Sequence, residues 1–554
     1  MKKTWLKSYP EGVPAEIPTP EFRSLREMIE HSFREYADRP SYSCMGTSLT
    51  YADLDRLSMQ FACYLQNDLG LTRGERVAIM LPNLLPYPVA LCGIFRAGLV
   101  VVNINPLYTA RELQHQLSDS GARCIIILEN FASTLEAVIG NTKVTQVITT
   151  GVGDLLRQPR AGITNFVLRH IRKAVPKFSL PGHVKLGKAL RAGKKSTLSR
   201  VELGFADIAF LQYTGGTTGI SKGAMLSHRN MLHNVFQTEA WTGGIFDDIV
   251  RIVAITALPL YHIFSLKSNC LLMMRLGGEN VLIPNPRDSE SFVKELSRRK
   301  FSYFTGVNTL FAALLNTPGF AAVDCSELRL TVGGGMAVQE AVARQWLGLT
   351  GCPIIQAYGL TETSPAAIIN PLNATVFNGS VGLPIPSTAV RICDDRGNDV
   401  PAGKVGEICI RGPQVMEGYW RNQEETDKVM LPGGWFRSGD LGRMDDAGFV
   451  YIEDRKKDMI LVSGFNVYPN EIEGVVVEMD GVLEAAAIGI PDEKTGEAVK
   501  LFVVRLDPSV AEQDIFDYCA ANLTRYKVPK EIVFRDTLPK TNVGKIMRRS
   551  LRES

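Results

Sequence analysis

The stretch TGGTTGISKG, residues 214–223, puts four glycines, three threonines, a serine and a lysine into ten positions. An apolar run, Ile208-Ala209-Phe210-Leu211, precedes it, and the AMLSHRN segment after it has the composition of a helix start. Glycines let backbone N–H groups crowd around an anion, the hydroxyls add donors, and Lys222 adds a point charge. This predicts a strand, a phosphate-holding loop and a helix. The loop is not a Walker A sequence, in which the lysine follows a glycine and precedes Ser or Thr. Here Lys222 lies between Ser221 and Gly223, so the mechanisms of P-loop kinases and GTPases do not carry over.

A chain of 554 residues exceeds what one core usually serves, and several packed units are expected. Apolar residues make up 45% and charged residues 21%, the balance of a globular protein. A net charge of +3 gives no argument for a nucleic-acid partner. The ten cysteines form no CxxC pair, which favours reduced thiols in a cytoplasmic setting over a disulfide framework or zinc ribbon. The N-terminal MKKTWLKSYPEGVP has no apolar stretch behind its lysines and does not read as a secretory signal. The most apolar segments, residues 89–102 and 271–276, are broken by Arg96 and Arg275. Neither reaches the ~20 residues needed to span a bilayer.

Strand-like runs at residues 76–80, 100–103, 124–128, 144–149, 252–258, 280–283, 328–332 and 354–356 alternate with helix-like ones such as 88–96. That rhythm predicts an α/β fold, with parallel-rich sheets in a large multi-layer N-terminal domain over residues 1–454. Past the charged joint DRKKD, residues 454–458, the pattern becomes a small α+β domain over 455–554. Helices are expected there at 470–479 and 515–523, with strands at 485–489 and 499–504. A joint of this kind suits a hinge, so the C-terminal domain is expected to be mobile. Residues 155–200 contain twelve Lys and Arg but no Asp or Glu. Within them Ile163, Phe166, Val167, Ile171 and Ala174 recur at helical spacing, largely opposite Arg169, Arg172 and Lys173. Two readings stay open: a peripheral contact with an anionic membrane at the inner face of the cell, or an apolar stripe packed on the body.

Further blocks follow the first in order: GGGM at 333–336, YGLTETSP at 358–365, GWFRSGDLGRMDDAGFVYIEDRKKDMI at 434–460, SGFNVYPNEIE at 463–473 and PKTNVGK at 539–545. Together they resemble the adenylate-forming superfamily of acyl-CoA synthetases, luciferases and peptide-synthetase adenylation domains. MKKTWLKSYP, NINPLYTARELQHQLSDSGA, ALPLYHIFSLKSNCLL and MILVSGFNVYPNEIE extend the likeness to the bacterial long-chain fatty-acid–CoA ligases, from end to end. The resemblance implies activation of a fatty acid by ATP to acyl-AMP, releasing pyrophosphate, and then transfer of the acyl group to CoA, releasing AMP. A shorter or aromatic acid is an alternative within the superfamily. Outside it stand a phosphotransferase or ATPase using the same cradle, and a fatty-acid-binding or membrane-recruitment protein without chemistry. The resemblance leaves a homodimer open.

Site roles follow from the same resemblance. Tyr213, Thr214, Gly215, Gly216, Thr217, Thr218, Gly219 and Lys222 belong to the loop that holds the β- and γ-phosphates. Thr218 and Glu362 are the expected holders of Mg²⁺, a cation that takes carboxylate and phosphate oxygens. Gly334 and Gly335 form the adenine-side loop, Tyr358 stacks on adenine with Gly359 beside it, and Thr361 contacts the α-phosphate. Asp440 accepts from the ribose hydroxyls, and Arg455 reaches the ribose–phosphate side. Lys457 occupies the hinge position, and Gly464 leaves room for the pantetheine of CoA. His262 positions or gates the acyl group. Lys545 bridges the fatty carboxylate and the α-phosphate. The acyl tunnel is expected along residues 258–274 and 304–315, without the tryptophan gate that some relatives carry after the histidine.

Overall fold

The computed structural model describes residues 3–214, 221–374, 377–463, 465–492, 494–541 and 544–552. Among these residues the chain builds four sheets. The first runs, in spatial order, through Leu383–Pro384, Ala366–Ile369, Ile354–Gly359, Leu330–Gly334, Tyr303–Gly306, Val253–Thr256, Glu279–Leu282, Pro40–Cys44 and Thr47–Thr50. Its central pairings are parallel and its edge pairings antiparallel. The second runs through Val184–Lys185, Gln146–Thr150, Cys124–Leu128, Arg76–Met80, Val100–Asn103, Ile208–Thr214 and Lys222–Ser227, and is parallel up to its last hairpin.

Burial on both faces explains why these strands read as unbroken apolar runs. Cys124–Leu128, CIIIL, is buried at every position. The helix Pro86–Arg96 is also buried all round, and it packs Phe95 edge-on against Phe210 of the second sheet. The expected strands at 76–80, 100–103 and 124–128 coincide with the observed ones. The α/β expectation therefore holds.

Two features depart from the sequence reading. The segment after the phosphate loop is a strand, Lys222–Ser227, and the helix opens only at His228. Ala224 and Leu226 are buried in register with Gln212 and Phe210, so pairing with Ile208–Thr214 outweighs local helix propensity. Ser227 is the cap: its hydroxyl accepts from Asn230 N, and the Asn230 side chain returns to Ser227 N at 2.8 Å. The described ends of the loop, Thr214 and Lys222, are thus paired across two antiparallel strands, and the chain reaches the helix only after Ser227. The second departure is a third sheet, built antiparallel from Ala389–Cys393, Gly406–Arg411, Met430–Leu431, Trp435–Met444 and Val450–Arg455.

The fourth sheet belongs to the C-terminal region. Val482–Asp492 and Gly496–Arg505 form its long hairpin, flanked by Ile460–Val462, Phe465–Val467 and Glu531–Phe534. Helices Pro469–Val477 and Glu512–Asn522 lie near the expected positions. Ile472, Val476, Leu501, Val503 and Ile515 belong to a core cluster of this region.

In the basic segment the helix Arg160–Phe166 continues as a wider turn over Val167–Ile171. Its apolar stripe is not packed on the body. Ile163, Phe166 and Ile171 are 58%, 57% and 65% exposed, while Arg169 pairs inward with the buried Glu129. Among the described residues no helix is long and apolar enough to cross a membrane. Ser227→Ala should lower the stability of the large body by about 1 kcal/mol, seen as an earlier midpoint in urea unfolding. An unchanged midpoint would remove the cap from this account.

Candidate active site

The hairpin Ile208–Thr214/Lys222–Ser227 brings Tyr213, Thr214 and Lys222 to the base of the loop, with Thr214 opposite Lys222. Tyr213 donates its hydroxyl proton to Asp119 at 2.5 Å. Lys222 pairs with Glu425 at 2.5 Å and lies 4.8 Å from the centre of the Tyr419 ring. The two lysines Lys222 and Lys428 hold the Glu425 carboxyl down at about 2. Gly215, Gly216, Thr217, Thr218, Gly219 and Gly464 lie outside the described residues.

Strand Leu330–Gly334 pairs in parallel with Ile354–Gly359, placing Gly334 beside Ala357 and carrying the chain on to Tyr358. Gly335 follows in the turn, with φ +79°. Gly359 is required by close approach: a Cβ there would stand 1.8 Å from the Pro365 carbonyl oxygen. That approach folds the 3₁₀ turn Thr361–Thr363 back under the strand and buries Glu362. The Glu362 carboxylate accepts from the Tyr419 hydroxyl at 2.7 Å, and burial raises its pKa. Thr361 is half-buried in the same turn.

Tyr358 donates to Asp440 Oδ2 at 2.7 Å, and Arg455 Nε sits 3.2 Å from Asp440 Oδ1. Antiparallel pairing of Trp435–Met444 with Val450–Arg455 puts Asp440 opposite Arg455. The third sheet, which sequence patterning missed, therefore supplies this pair. Lys457 is exposed in the turn between Val450–Arg455 and Ile460–Val462.

Lys545 arrives from the C-terminal region on a hairpin closed by Thr541 N–H to Lys545 O at 2.6 Å and Lys545 N–H to Thr541 Oγ1 at 3.1 Å. Gly544 adopts φ +82° and its carbonyl accepts from Thr309 Oγ1 of helix Asn308–Leu315 at 3.3 Å. Burial, with the nearby Arg455 guanidinium, pushes the Lys545 ammonium down to about 8. His262 caps the short helix Ile263–Ser265, its Nδ1 accepting from Phe264 N at 3.4 Å. Burial first, and the Lys545 charge second, push His262 down to about 4. It is neutral at ordinary pH, which fits a positioning role.

Behind Lys545, Arg548 reaches Asp454 at 3.1 Å and Glu473 at 2.8 Å. Asp454 closes the last strand of the third sheet and also accepts from Asn470 N at 2.9 Å. Sequence reading gives no site role to Tyr419, Glu425 or Asp119, takes Asp454 only as part of the charged joint, and takes Arg548 only as part of a basic tail. The one available signal was the density of charge at the DRKKD joint.

Residues 29–420 match the AMP-binding enzyme family, and residues 471–545 match the AMP-binding enzyme C-terminal domain. The chain belongs to the AMP-binding enzyme family. Among curated AMP-binding enzymes it is 53% identical to the long-chain-fatty-acid–CoA ligase of Escherichia coli O6:H1 over 553 residues, covering 100% of this chain and 98% of the relative. It is 35% identical to the ligase of the same name from Bacillus subtilis, again over 100% of this chain and 98% of the relative. Two solved relatives share the fold. ATP-bound MatB from Rhodopseudomonas palustris gives a TM-score of 0.81 at 28% identity, covering 95% of this chain and 98% of that one. The anthranilate CoA ligase AuaEII in complex with anthranoyl-AMP gives 0.84 at 25% identity, covering 96% and 97%. The expectation of a large parallel-rich α/β body with a smaller α+β C-terminal unit holds for this AMP-binding enzyme.

Lys545→Met should raise the His262 pKa from about 4 while leaving it below the ordinary 6.5, read as a shifted ring titration by NMR. No shift would mean that the C-terminal tip does not dock beside His262 in solution.

Proposed function

We propose that this chain activates long-chain fatty acids in two steps at one site. The fatty carboxylate oxygen attacks the α-phosphorus of ATP, forming acyl-AMP as pyrophosphate leaves with the bonding pair. The CoA sulfur, as thiolate, then attacks the acyl carbonyl carbon and AMP leaves. The first step brings two anions together, and its main demand is charge neutralisation. The observation that carries this reading is the convergence of Lys545, from the C-terminal tip, on His262 and on the Asp440–Arg455 pair of the third sheet. The full-length likeness to curated long-chain-fatty-acid–CoA ligases supports the substrate class.

The remaining roles are proposed from the family resemblance, with support from placement where the residues are described. Tyr358 and Asp440, already joined, face the adenosine, with Asp440 accepting from the ribose. Gly334, Gly335 and Gly359 bring backbone close to the base. Lys222 exchanges Glu425 for the β- and γ-phosphates, together with Tyr213, Thr214 and the loop residues 215–219. Thr361 contacts the α-phosphate. Glu362 suits Mg²⁺, which binds through one or two carboxylates plus phosphate oxygens, because it is buried with a single tyrosine hydroxyl on it and no ion pair among the described residues. Thr218 is the second proposed holder. Bound there, Mg²⁺ would neutralise phosphate charge. The body, residues 1–454, and the C-terminal domain, residues 455–554, turn about Lys457 so that Lys545 withdraws and pantetheine passes Gly464.

Lys545→Ala should reduce acyl-AMP formation by more than a hundredfold while sparing thioesterification of supplied acyl-AMP. Equal loss of both half-reactions in a folded variant would end the two-step division of labour. Release of ADP and phosphate in place of AMP and pyrophosphate would replace the reading with phosphotransfer.

The exposed Ile163, Phe166 and Ile171, on a segment rich in Lys and Arg, support peripheral binding to an anionic membrane. Replacing the three by Ser should cut pelleting with phosphatidylglycerol-containing vesicles severalfold at constant salt. Undiminished pelleting would assign any binding to another surface.

A further inference from the structure

Among the described residues, buried charges are paired, with two exceptions. Arg96, Glu129, Glu279, Glu407, Asp440 and Asp454 each contact an opposite charge. Glu362 does not, and its proposed complement is the metal of the ATP site. The other exception is Lys267, 1% exposed, with no carboxylate partner among the described residues. Its ammonium donates to Thr238 Oγ1 at 2.7 Å, and that hydroxyl donates onward to the Asn234 carbonyl at 2.8 Å. An ammonium has three N–H donors, and one hydroxyl does not neutralise it. Burial alone pushes the group down to about 7. A methionine or leucine would fill the volume without that cost, so the lysine is a costly choice for packing alone.

Its place in the fold points to a ligand. Lys267 lies five residues beyond His262, on the helical stretch that His262 caps, about 7 Å further along the axis. Residues Leu266–Leu271 are wound as a π-turn, a local geometry often found at functional sites. Thr238 lies on His228–Thr242, the helix that leaves the phosphate hairpin. One turn earlier on that helix, Asn234 donates to the carbonyl of Ala366 at 2.7 Å, four residues after Glu362. The Lys267 ammonium therefore ties the stretch that His262 caps to the helix that leaves the phosphate hairpin.

We propose that Lys267 is a specificity-determining residue of the acyl site, receiving an oxygen carried by the acyl chain far from the reacting carboxylate, with a second carboxylate as its best ligand. The inference rests on the fatty-acid activation reading above. A carboxylate would supply the missing counter-charge, and a hydroxyl would supply an acceptor only. An unsubstituted chain would leave the ammonium as it stands.

The test uses the purified full-length enzyme with CoA-dependent AMP release as readout. Substrates are saturated monoacids of eight, twelve and sixteen carbons, their ω-hydroxy derivatives and the matching α,ω-diacids. At one length or more, wild type should use the diacid at least as well as the monoacid in kcat/KM. Lys267→Met should lower that diacid-to-monoacid ratio about tenfold or more by removing a charge-assisted contact, and Lys267→Arg should restore part of it. A ratio unchanged by Lys267→Met at every length would overturn the proposal. So would a wild-type preference of more than tenfold for the monoacid at all three lengths, a result that needs no variant. If no acid released AMP, the activation reading itself would fail, which is a separate outcome.

Discussion

The contact on which the site depends is the approach of one ammonium, Lys545, from the small C-terminal unit to a cluster held by the large body. Two anions that must react repel each other, and Lys545 interacts electrostatically with both His262 and Asp440. Lys545 gets there because its hairpin closes on itself, Gly544 takes a left-handed turn, and Thr309 holds the Gly544 carbonyl. Burial lowers its pKa to about 8, which marks an ammonium held in a poorly solvated place. That cost is offset when anions occupy the cleft.

The same logic orders the rest of the cleft. Groups proposed to meet ligands are held by neighbours that a ligand could replace. Lys222 rests on the part-exposed Glu425 carboxylate and over the buried Tyr419 ring, and phosphate oxygens are the proposed replacement for Glu425. Asp440 is buried and shared between Tyr358 and Arg455, and a ribose hydroxyl is its proposed further partner. By contrast, Arg548 is bound on several sides by Asp454, Glu473 and Asp458, and that network ties the base of the Lys545 hairpin to the joint between the units. A buried network of this kind gives little net stability, and its use is to select one arrangement of the two units.

Much of the body was legible in advance because parallel strands covered on both faces leave continuous apolar runs, as at Cys124–Leu128. The antiparallel third sheet was not. Its strands do not alternate cleanly, and register shifts at Glu407/Cys409 and Leu441/Gly442 break the period of two, so the pattern that would mark them is diluted. The helix expected after the phosphate loop failed for a related reason. The local sequence admits a helix, but strand Ile208–Thr214 offers a hydrogen-bonding edge, and pairing wins.

The sequence by itself determined which chemical groups the site holds: a glycine-threonine loop with one lysine, a carboxylate after YGLT, an aspartate after SG, and a lysine near the C-terminus. Those identities survive any arrangement of the chain. Tertiary structure alone decided who holds whom. Lys222 meets Glu425 across 203 positions, Tyr358 meets Asp440 across 82, and Thr309 meets Gly544 across 235. Periodicity reports whether a residue is buried, because that depends on its own strand or helix. It carries no information on which distant residue shares the burial, since the order of strands in the sheets sets that.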